Sequence, residues 1–179
     1  MSRSLKFDDN EEPVTLSNND LAFLALCNEY CAAVENVSVT ETTDFVDKML
    51  KLLPRLYISA LDIKADMLEQ TDGYIAPALT EDVYNSLRNA IAARLGEDDT
   101  FLEVFEEDMV YSETPIAVTV SESLADLFQV FYDFLETCRE APNYLIAEAL
   151  ASVRQSFEEF WSQTLTNVLR ALNAIKFKA

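Results

Sequence analysis

Apolar side chains recur at helical spacing along five stretches of the chain, and most of these stretches carry start or stop signals at their ends. The first predicted helix covers residues 18–36. Phe23, Leu24, Cys27, Tyr30, Cys31 and Val34 follow one another at steps of one, three and four, which places them on one face. Ser17, with Asp20 three positions later, forms a capping arrangement ahead of it. A second helix is predicted from Ser38 or Thr40, with Glu41 placed for a box to Ser38, to about residue 68. Its apolar face is Val46, Met49, Leu50, Leu53, Leu56, Tyr57 and Ala60. Pro54 lies inside that pattern. It lacks an amide donor and crowds the carbonyl four residues back, so a kink or a break is expected there.

Residues 70–80, with Gly73 and Pro77, read as a loop. Thr80 then caps a third helix, with Val83, Tyr84, Leu87, Ile91 and Leu95 on its face and Gly96 as its stop. Between 97 and 120 a short helical pattern at 101–105 gives way to extended character at 109–111 and 116–120. These two pieces are expected to pair across 112–115. Ser121 or Ser123 caps the next helix, whose stripe is Leu124, Leu127, Phe128, Phe131, Phe134, Leu135 and Cys138. After Pro142, with Asn143 as cap, one unbroken helix is predicted to about Lys176, along the line Ile146, Leu150, Val153, Phe157, Trp161, Leu165, Val168, Leu172 and Ile175. The expected fold is all-α: a polar, acidic tail over 1–16, then a single-domain bundle of five to six helices over 17–179, with a small β-hairpin near 109–120.

Composition narrows the chemistry. The 179 residues hold 32 acids, 13 bases and no histidine, a net charge of −19. Without histidine, imidazole-relayed triads and most catalytic zinc or di-iron sites are excluded. Two glycines, Gly73 and Gly96, are too few for a phosphate-cradling loop. The longest stretch free of charged residues is 160–169, ten residues, half of the roughly 20 a membrane helix needs. The first thirteen residues carry no apolar run of the signal-peptide kind, so a cytoplasmic location is expected. Residues 95–138 hold 12 acids and no base, which opposes nucleic acid and favours a basic protein or a cation as partner. No cofactor is expected.

Four clusters stand out as candidate sites. Cys27 and Cys31 lie one turn apart but on the apolar stripe, which favours core packing over thiol or metal chemistry. Lys48, Lys51 and Arg55 form a basic stripe that could grip an anion. Asp44 and Asp47, four residues before Lys48 and Lys51, read instead as ordinary helix-surface partners. Glu97, Asp98, Asp99, Glu103, Glu106, Glu107 and Asp108 form the densest charge cluster. Glu103 and Glu106, with Asp133 and Glu136, resemble the paired acidic motifs of all-helical nucleotide pyrophosphohydrolases. However, Asp133 and Glu136 point away from the Phe131 stripe, whereas a magnesium site needs inward carboxylates. Phe157, Phe160 and Trp161 read as an aromatic core knot.

The pieces NEYC (28–31), LLPRLY (52–57), SLADLF (123–128), SFEEFW (156–161) and LRAL (169–172), in this order, resemble the bacterial family called domain of unknown function 5063. The resemblance spans about residues 18–176. It implies a compact, all-helical, cytoplasmic bacterial domain and supplies no catalytic residue. The family pattern carries a histidine ahead of the tryptophan on the last helix, and this chain has none at 157–161. The leading expectation for function is a non-catalytic protein-binding or adaptor module, with Glu103, Glu106, Glu107 and Asp108 facing a basic partner. The alternatives are a divalent-metal hydrolase of phosphorylated small molecules, and a binder that holds a small ligand in the bundle interior.

Overall fold

The computed structural model describes residues 14–64, 75–103 and 116–178. Among these residues lie six α-helices and one short antiparallel strand pair: α1 (Asn18–Glu35), α2 (Thr42–Leu61), α3 (Glu81–Leu95), β1 (Thr100–Leu102), β2 (Ala117–Thr119), α4 (Val120–Cys138), α5 (Asn143–Ser156) and α6 (Ser162–Lys176). The all-α bundle expected from the periodicity is therefore present. Its centre is α4, which packs against α1, α3, α5 and α6, while α2 closes the far side against α1 and α6.

Several ends follow local chemistry. Ser17 and Asp20 form the reciprocal box that opens α1, each side chain taking the other residue's backbone N–H. The Thr80 hydroxyl caps α3, and Gly96 ends it at φ +59°, a left-handed conformation that a Cβ would strain. Other ends differ from the expectation. α2 opens at Thr42 after Glu41, because 37–39 form a short 3₁₀ turn, and it ends at Leu61 rather than near 68. The cap of α4 is the Thr119 hydroxyl, not Ser121 or Ser123. The strand pair also has another register: 117–119 pairs with 100–102, so Phe101 is extended rather than helical. The 109–111 partner lies outside the described residues.

α2 runs through Pro54 without a break. Proline inside a helix costs about 3 kcal/mol. Leu52, Leu53 and Leu56 beside it are fully buried, each contributing roughly 1.5–3 kcal/mol, so packing outweighs the lost bond.

Aromatic rings fill the core between α1, α4 and the last helices. Phe131 meets Tyr30 at 5.1 Å and Trp161 at 5.2 Å, both edge-on, and Phe23 lies 5.5 Å from Phe134. The buried Tyr30 hydroxyl donates to the Leu124 carbonyl at 2.8 Å, which satisfies a phenol that would otherwise be costly to bury. Between α5 and α6 the helical path is continuous but widens into one π turn, Phe157–Trp161. Val153, Phe157, Trp161 and Leu165 are all buried at successive steps of four. Three regular turns hold about 10.8 residues, so these twelve contain one too many, and the wider turn absorbs it. The Trp161 indole N–H donates to the Val153 carbonyl at 3.1 Å. The same turn swings Phe160 out of the expected aromatic knot, leaving it 52% exposed while Phe157 and Trp161 stay buried.

Candidate functional site

Opposite its core face, α4 carries a second stripe, Glu122, Asp126, Gln129 and Asp133, at steps of four, three and four. This stripe forms one wall of a groove whose other walls are α3 with its approach segment, and the α5–π–α6 run. One hollow of this groove, about 440 Å³, lies among Ile75, Asp126, Val130, Asp133, Ser156 and Phe160. A second, about 280 Å³, opens among Glu103, Glu122, Asp126, Glu159, Phe160 and Asn167. A third is bounded by Thr80, Glu81, Tyr84, Asp126 and Gln129. Asp126 borders all three. Among the described residues, six carboxylates and no Lys or Arg line them.

The acids of this region have different fates. Asp133 is buried, and its Oδ1 accepts the backbone N–H groups of Ala78 and Leu79, each at 2.8 Å. Asp99 is buried too: one oxygen accepts the Ser121 N–H at 2.8 Å, the other the Ser121 hydroxyl at 2.7 Å. Both therefore correct the expectation that the carboxylates face water. Helical phase had put Asp133 outside, and the segment 75–80 covers it. Glu136 pairs with Arg139 at the surface.

Asp126 is half-buried and accepts the Tyr84 hydroxyl at 2.6 Å. Burial pushes its carboxyl above the usual range and Glu122 adds to that, while the bond from Tyr84 works the other way. Burial, then the bond to Asp126, holds the Tyr84 phenol well above its ordinary value, so it stays a neutral donor. Glu159 is exposed on the π turn and accepts from Gln155 at 2.9 Å.

The other candidates from the sequence are dispersed. Of the acidic cluster, Asp98 pairs with Lys178, Asp99 caps α4 and Glu103 accepts from Asn167. Glu106, Glu107 and Asp108 lie outside the described residues. Among the described residues no three acids or thiols are grouped to hold a metal. Lys48, Lys51 and Arg55 are exposed on α2 and form no part of the groove lining; Asp47, expected to pair with Lys51, instead meets Lys176 of α6 at 2.5 Å. Cys27 and Cys31 are buried in the core. Burial raises the Cys27 thiol well above its ordinary value and pushes Cys31 up to about 12, so neither is a ready nucleophile. Sequence reasoning passed over Glu122, Asp126, Tyr84, Glu159 and the outward Phe160. The polar stripe on α4 was a visible signal for the first two.

No helix among the described residues is long and apolar enough to cross a membrane. The fold matches the crystal structure of protein BF1032 from Bacteroides fragilis, with a TM-score of 0.77 and 30% identity over 91% of this chain and 95% of that one. No curated protein matches the sequence. The model of the family "Domain of unknown function (DUF5063)" matches residues 14–178, so the chain belongs to that family.

Proposed function

We propose that this protein is a non-catalytic binding module that docks a basic segment of another protein against the groove on the polar face of α4. The observation that carries the reading is the lining itself: among the described residues, six carboxylates and no Lys or Arg, beside the exposed ring of Phe160. A half-desolvated anion such as Asp126 gains from an approaching cation, and an acidic rim steers such a partner inward. The metal-hydrolase alternative has less behind it, because two of the four acids it drew on are engaged: Asp133 by two backbone amides and Glu136 by Arg139.

The test is affinity capture from lysate with the full chain and with the combined Glu122→Gln, Asp126→Asn, Glu159→Gln variant. Basic proteins held by the parent chain at low salt are expected to be lost by the variant. Identical capture by both would overturn the reading.

A further inference from the structure

The groove is not uniform along its length, and its asymmetry specifies what would fit. At one end stand Glu122 and Asp126, four residues apart on α4 and so about 6 Å apart along its axis. At the other end Asp133 is already taken up by the amides of Ala78 and Leu79, and the wall there is Ile75, Val130 and Phe160. Alternate side chains on one face of an extended peptide repeat at about 6.6 Å, close to the spacing of Glu122 and Asp126. Two cations at positions i and i+2 therefore match the acidic end. The next residue on that face, at i+4, arrives over the apolar end.

We infer that the groove recognises an extended segment bearing two lysine or arginine side chains two residues apart and a large apolar side chain two residues beyond them. This deepens the proposed function and rests on it. Charge complementarity supplies the first part, since no Lys or Arg among the described residues lines the groove. The outward aromatic ring supplies the second: Phe160 is 52% exposed and borders both main hollows, so an apolar side chain laid on it buries surface now in contact with water.

The inference is tested with fluorescently labelled peptides and the full chain, read by anisotropy. The probes are Lys-Ser-Lys-Ser-Leu and its reversal, each in a Gly-Ser surround, with versions carrying Gln for both Lys or Ser for Leu. At least one parent probe is expected to bind about tenfold tighter than either of its altered versions, the scale of burying one apolar side chain. Asp126→Asn should weaken the parent probe, and Phe160→Ser should erase the preference for Leu over Ser while leaving the preference for Lys over Gln. Both residues are partly exposed, and Asn keeps an acceptor for Tyr84. Equal binding of the Leu and Ser probes would overturn this inference yet leave an acid-lined docking face standing. Binding by none of the probes would also overturn it, and the broader reading would then be decided by its own capture experiment.

Discussion

The two faces of α4 are built from the same nineteen residues and reach opposite states. On one, Leu124, Leu127, Phe131 and Phe134 are wholly buried among rings from α1 and from the π turn. On the other, Glu122, Asp126, Gln129 and Asp133 look alike in the sequence but not in the structure. Asp133 holds two amides under a loop, whereas Asp126, two turns earlier, has one phenol and an open hollow on each side. The core face depends on shape. The polar face depends on which acids find a backbone partner, and Asp133 has found two whereas Asp126 borders open hollows.

Substitutions at four positions probe this contrast. The largest effect is expected on the core face. Trp161→Ala removes a fully buried indole and the donor on the Val153 carbonyl, and should cost about 3–5 kcal/mol in denaturant unfolding. Next comes Asp133→Ala, which orphans the amides of Ala78 and Leu79. A loss of about 2–4 kcal/mol is expected, less for Asp133→Asn because its carbonyl oxygen still accepts. A result near zero for the alanine variant would mean that Asp133 is as free as Asp126.

The third effect is pH-dependent and belongs to the core. Cys31 holds its proton in the fold until about 12, against 9.0 for an unperturbed thiol, chiefly through burial. As pH climbs past the lower value, the unfolded chain releases its proton first, so stability falls through that window. The slope for one such group is up to about 1.4 kcal/mol per pH unit. Cys31→Ala should make the alkaline decline shallower without changing its course below that window, as urea melts across a pH series would show. The smallest effect is expected at Asp126. Its carboxyl is raised, so its contribution is greatest in acid and is lost as pH rises through the folded value. Asp126→Asn should therefore change neutral-pH stability by no more than about 1 kcal/mol in either direction, while binding suffers.

The sequence made some of this readable. Caps at Ser17 and Thr80 and the stop at Gly96 are local, and the helical stripes needed only their own spacing. What stayed hidden depends on distant partners: the amides that hold Asp133 lie 54 and 55 residues away, and the serine that takes Asp99 lies 22 away. Helical phase alone puts such acids in water. The strand register was missed for a related reason, since any extended triplet could have met 117–119. The outward turn of Phe160 was legible in principle, because three successive steps of four between Val153 and Leu165 exceed what regular winding can hold.

That surplus residue makes the final third of the chain sensitive to the direction in which its length changes. Deleting one position between Val153 and Leu165 would rewind the segment as regular α-helix, eleven residues in about three turns, and keep everything downstream on its present face, whereas adding one would rotate it by about 100°. With such an insertion Leu165, Val168 and Leu172 would turn away from α2 and α4. Family members can be expected to admit a one-residue gap within this stretch more readily than an insertion.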